Sequence, residues 1–257
     1  TNGNFVGGFV GSNNATISDS TVIISNVNPL TGAGVSGRTL VGGFAGWNNG
    51  GSITNSSTQT SVKSTSTVAG GFVGQMTAGT LSANGAEVSV QGTTQVGGFV
   101  GYMNGGVINS SYANTTVLET SSTGAAGVGG FVGHLYDGSI TTSRAAGSVT
   151  GWGSVGGFVG LMNNSGSITE SYATGSAFQN EASVQGTSGA VGGFAGYLST
   201  AFNGMISDVY AIGSVTGVTQ LGGLVGYAGK GTITNSFATG VVRSNTTGTA
   251  LGGVFGA

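Results

Sequence analysis

The sequence has no cysteine and a single proline, Pro29. It therefore holds no disulfide, no thiolate metal site and no cysteine nucleophile. Charge is almost as scarce, with five Lys and Arg against seven Asp and Glu, a formal net charge of -2. Without a basic patch or a polybasic run, neither a nucleic acid nor an anionic membrane surface is an expected partner. No apolar run approaches the roughly 20 residues of a membrane helix, so no membrane insertion is expected. No cofactor motif is present. The chain opens at Thr1 without Met, which reads as a processed protein or a piece of a longer one.

What the chain has in excess is glycine, 55 of 257 residues. Nine glycine pairs begin at Gly7, Gly42, Gly70, Gly97, Gly129, Gly156, Gly192, Gly222 and Gly252. Phe follows seven of them, Leu224 the eighth and Val254 the ninth. Successive pairs lie 27 to 36 residues apart over the whole chain. A period of that size marks a stacked repeat, and the apolar residues recurring in register exclude a disordered Gly/Ser tract. No helix signal follows the pairs, so they are not phosphate-cradling loops.

Each repeat reads as three short strands separated by Gly, Asn and Ser turns. A central column holds Ile17, Ile53, Leu81, Ile108, Ile140, Ile168, Ile206 and Ile233. Nine residues on stand Val62, Val90, Val117, Val149, Ala177, Val215 and Val242, with Asn26 the exception in the first coil. The expected fold is all-β: one parallel β-solenoid (β-helix) over residues 1–257, of about eight coils wound right-handed. Ile, Ser three residues on, Ala five on and Val nine on point inward. Long insertions follow coils 1, 4 and 6 and are expected to leave from one corner, a common place for a binding face. In an unbroken strand Phe44 and Ala45 face opposite ways, which would put one of those columns outside.

The eighth coil, Gly222-Gly-Leu-Val-Gly-Tyr-Ala-Gly-Lys-Gly-Thr-Ile-Thr-Asn-Ser-Phe-Ala-Thr-Gly240, resembles the GLUG repeat. Gly129 to Val149 and Gly156 to Gly175 resemble it nearly as well, with Phe in place of Leu. The resemblance implies a bacterial cell-surface or secreted β-solenoid, of the kind found in filamentous haemagglutinin-like adhesins and immunoglobulin A-specific metallopeptidases. The peptidases' His-Glu-x-x-His motif has no counterpart in a chain with one histidine, so no enzymatic activity is carried over.

Chemistry-bearing residues are few. His134 with Asp137 lacks a nucleophile elbow, and its column is variable, so no catalytic residue is assigned. Glu170 and Asp208, both two residues after their isoleucines in adjacent coils, form a weak candidate carboxylate pair for an ion. Four residues after the isoleucines stand Tyr112, Arg144, Tyr172, Tyr210 and Phe237, an aromatic stripe around an Arg suited to stacking on a sugar or a cell-surface partner. Hydroxyl rows flank the isoleucines: Thr16 and Ser18, Ser52 and Thr54, Thr80 and Ser82, Ser139 and Thr141, Ser167 and Thr169, Thr232 and Thr234. Such rows on a flat face resemble those of ice-binding proteins. The first and last strands are of the same double-glycine type and uncapped, so head-to-tail self-association into fibres is an expectation. The expected role is a non-enzymatic stalk or adhesive segment, with ice binding as the competing class.

Overall fold

A computed structural model describes residues 5–24, 34–121, 127–179, 189–245 and 251–253. All of its regular structure is β, and every strand pair is parallel, each strand hydrogen-bonded to the equivalent strand one coil away. The strands form four sheets that run the length of the solenoid. The sequence suggested three strands per coil; the structure has four faces.

The first face, of nine strands, ends in the glycine pairs, as in Leu40–Gly42, Val68–Gly70 and Gln95–Gly97. The second carries the isoleucines. In four coils it is a single ten-residue strand, such as Val73–Ser82 and Val132–Thr141. In others it splits in two, as Val159–Met162 and Ser167–Thr169. The third face has eight strands, including Tyr112–Asn114 and Arg144–Ala146, and the fourth eight, including Val62–Ser64 and Val149–Gly151.

Two corners explain why the count rose from three to four. The residue two places after each isoleucine is left-handed in all eight coils, with φ between 48° and 56°: Asp19, Asn55, Ala83, Ser110, Thr142, Glu170, Asp208 and Asn235. One left-handed residue turns the chain sharply, which ends the isoleucine face and begins the next. Asn and Asp tolerate this conformation best, and they fill four of the eight places.

The glycine pair makes the other corner by close approach of backbones. A Cβ on Gly70 would stand 1.8 Å from the Val73 carbonyl oxygen, and one on Gly71 would stand 2.0 Å from that of Gly98. At this corner the amides of both Phe72 and Val73 donate to the Phe99 carbonyl. The strand is therefore broken between them, and Phe72 and Val73 both point inward, wholly buried. The same holds for Phe44 and Ala45, so neither column is a surface. Phe44, Phe72, Phe99, Phe131, Phe158 and Phe194 form one stack down the interior, with ring centroids 4.7–4.9 Å apart.

The other ladders fall where the spacing put them. Ile53, Leu81, Ile108, Ile140, Ile168 and Ile206 are buried, as are Ala113, Ala145, Ala173 and Ala211, and Val62, Val90, Val117, Val149, Ala177 and Val215. Coil 1 differs. Val35 pairs with Val62, so Val35 and not Asn26 stands in the valine column. Asn26 lies outside the described residues. The coil 1 insertion thus falls between Ile24 and Gly34, ahead of the fourth face. Those of coils 4 and 6 come after that face, following Ser121 and Gln179. The three insertions do not share a corner.

Candidate binding face

In six of the eight coils a serine three residues after the isoleucine follows the left-handed corner and supports it. Ser143 is buried; its hydroxyl donates to the Thr141 carbonyl at 2.8 Å and accepts from the Ser111 amide at 3.3 Å. Ser56, Ser111 and Ser171 repeat the donation two residues back. Asn84 takes this role in coil 3, accepting from the Ser56 amide at 2.9 Å and donating to the Ile53 carbonyl at 2.7 Å. This polar ladder inside the apolar core fixes the third face in register, and that register sets the stripe outside it.

Because the residues before and after it point inward, the residue four places after each isoleucine points out. Tyr112 pairs with Arg144, Arg144 with Tyr172, Tyr172 with Tyr210 and Tyr210 with Phe237. The rings of Tyr172 and Tyr210 stack at 4.8 Å, those of Tyr210 and Phe237 at 5.3 Å. The Arg144 guanidinium lies 4.8 Å over the Tyr112 ring, a cation–π contact. Tyr112 leans over Gly85, where only a missing Cβ leaves room for the ring, and donates to the Glu87 carboxylate at 3.1 Å. Burial, and then the Glu87 charge, push the Tyr112 phenol up; Arg144 opposes them. All five residues of the expected stripe are thus brought into one line on the third face.

The hydroxyl rows sit on the outer side of the isoleucine face, in register: Thr16 with Ser52, Ser18 with Thr54, Ser139 with Ser167, Thr141 with Thr169. The rows are interrupted at Val107 and Met205, both about 40% exposed. At Asn109 the run is polar but bonded inward on itself, with Ser82 donating to the Asn109 side chain at 2.6 Å.

Glu170 and Asp208 occupy the left-handed corner and face other partners. Glu170 accepts from the Thr142 hydroxyl at 3.3 Å, Asp208 from the Asn235 side-chain Nδ2 at 3.2 Å. Among the described residues no three His, Cys, Asp or Glu come together as a metal-binding group. His134 lies beside Gln95, whose side-chain amide is 3.0 Å from Nδ1. Burial pushes its pKa down to about 4; Asn163 beside the ring opposes this, although His134 Nε2 and Asn163 Oδ1 are buried without a well-formed hydrogen bond.

Glu119 escaped the sequence reading. It is 1% exposed, in a column whose neighbour in coil 3 is Gly92. Its carboxylate accepts from the Trp152 amide at 2.7 Å, and Oε1 has no partner. Burial pushes its pKa up to about 7, against the hydrogen bonds from Trp152 and Gly153. A glutamate facing inward among glycines was the one available signal.

The family model described as the GLUG motif matches residues 124–150 and 217–243, the fifth and eighth coils. The chain is a β-solenoid that carries the GLUG motif in two of its coils. The two matched GLUG segments pair coil by coil with the others, as Val149 with Ala177 and Val215 with Val242, so the six unmatched coils share their geometry. GLUG repeats on this fold fit a structural repeat protein. No curated protein and no solved structure matches the chain.

Proposed function

We propose that the chain is a non-enzymatic stalk or adhesive segment of a bacterial surface protein, extracellular, whose contact surface is the stripe of the third face. The observation that carries this is the stripe itself. Tyr172, Tyr210 and Phe237 present stacked rings outward, preset by their backbone ladder, so a partner meets aromatic area already ordered. The buried apolar ladders carry the stability of the stack. A cell-binding assay tests the reading. Tyr172→Ala with Tyr210→Ala should abolish attachment while leaving the fold intact; attachment unchanged in the double variant rejects the stripe as the contact.

The in-register hydroxyl rows favour ice binding as the second reading. Thermal hysteresis that disappears on placing bulky residues at Thr54, Thr141 and Thr169 would establish it. The exposed Val107 and Met205 in the rows weigh against it.

A further inference from the structure

Where the third face turns into the fourth, the surface opens into a recess of about 440 Å³ across coils 2 to 4. Its size falls within the roughly 300–1,000 Å³ of small-ligand sites. The recess has a local cause in the sequence. From coil 5 onward the corner residue is glycine: Gly147, Gly175, Gly213, Gly240. A Cβ on Gly175 or Gly213 would stand 1.7–1.8 Å from the preceding coil's carbonyl, so these coils nest directly on one another. In coils 2 to 4 the equivalent residues are Thr60, Val88 and Thr115, all buried, and the recess ends at Gly147.

Two columns line it. One lip carries Gln59, Glu87 and Asn114, three exposed planar side chains from successive coils. The other carries Ser61, Ser89 and Thr116. Pairing of Ala86 with Thr58 and Ala113, and of Ser89 with Thr116, sets both columns in register. Each column therefore repeats at one coil rise, about 4.8 Å. Glu87 is held in place from both sides, by the Tyr112 hydroxyl on one oxygen and the Gln59 amide at 3.1 Å on the other. It still has lone pairs to offer, since a carboxylate accepts at about four sites.

The lining discriminates between ligand classes. A single carboxylate among neutral groups does not make a cation site. No Lys or Arg lines the recess, so an anion finds no counter-charge. Val88 is the one apolar side chain in the lining, so an apolar ligand would bury little. What remains is a neutral ligand rich in hydroxyls, able both to donate and to accept, and repeating at nearly the coil rise. We propose that this recess binds a neutral oligosaccharide laid along the solenoid axis, its hydroxyls bridging the amide–carboxylate column and the hydroxyl column. None of the five stripe residues lines the recess, and only Tyr112, through its bond to Glu87, touches its lip.

Titration calorimetry of the whole chain with cellotetraose, chitotetraose, mannotetraose and, as the charged counterpart, tetragalacturonate tests this. At least one neutral tetrasaccharide should bind with a Kd of about 1 mM or tighter. Glu87→Gln with Asn114→Ala should weaken it by roughly tenfold or more, with an unchanged melting temperature. Should that pair disturb the fold, Thr116→Val alone, an exposed change, should weaken binding several-fold. Binding of none of the neutral probes, of the charged one only, or with full strength in the recess variants overturns the proposal. Loss of saccharide binding in Tyr172→Ala with Tyr210→Ala, and not in the recess variants, also overturns it while leaving the adhesive stripe standing.

Discussion

The rings of Phe72 and Phe99 lie parallel, 4.9 Å apart with 0° between their planes, one coil step from each other. The spacing is the backbone's, because in-register parallel strands repeat every 4.7–4.9 Å. Offset aromatic pairs add about 0.5–1.5 kcal/mol beyond burial. Phe99→Ala should therefore cost about 3–5 kcal/mol and break the stack between Phe72 and Phe131. Phe99→Leu should cost clearly less, since Leu224 fills the same column in coil 8, fully buried. Equal losses in chemical denaturation for the two variants would contradict the stack as a source of stability.

The second glycine of the first eight pairs is a steric requirement. Gly71→Ala drives a methyl into the Gly98 carbonyl and against a Val88 methyl. Backbone cannot yield there without parting two coils, so a loss at or above the usual 1–3 kcal/mol of overpacking is expected. Thermal melting of Gly71→Ala should show it; a melting temperature within a degree of the parent would mean that the corner is softer than its geometry.

The serine ladder predicts effects of unequal size at two positions. Ser143→Ala removes the acceptor of the buried Ser111 amide, with an expected loss of about 1–3 kcal/mol. Coil 7 carries Val209 in this column, which offers no acceptor. Val209→Ser should restore one facing Ser171 and weaken the fold less than Ser143→Ala does, despite the lost apolar group. Hydrogen exchange at the Ser111 amide, faster in Ser143→Ala, would locate the effect.

Glu119 and His134 tie stability to pH in opposite directions. The Glu119 pKa is raised to about 7, so between about pH 4.5 and 7 the folded state holds a proton that the unfolded chain has lost, and stability falls as pH rises. The His134 pKa is lowered to about 4, so between about pH 4 and 6.5 the unfolded chain holds the extra proton, and stability rises with pH. Each amounts to about 3 kcal/mol. Across their overlap, about pH 4.5 to 6.5, the two slopes cancel and the parent should be flat. Glu119→Gln should leave a profile that climbs with pH, and His134→Leu one that declines. Parallel profiles in the parent and both variants would refute the coupling.

The repeat made most of this protein legible. Columns at fixed offsets placed Ile168, Ser171, Ala173 and Ala177 inside and Tyr172 outside, because a coil can be closed by stacking only if its neighbour repeats it. What misled was the assumption of unbroken strands. Phe44 and Ala45 alternate on paper, yet both are buried, because the chain bends between them. Asn26 held the valine column by counting, and Val35 holds it in space, because strand pairing with Val62 outweighs sequence distance.

The sequence alone determined the architecture and the inward isoleucine, serine and alanine columns, since those follow from periodicity and from glycine's missing side chain. Only the tertiary structure decided the four faces, the burial of the phenylalanine stack, the raised carboxyl of Glu119 and the recess beside Glu87. Each of these depends on how the chain turns a corner, and a corner's shape is set by contacts between coils, not by the residues of any one of them.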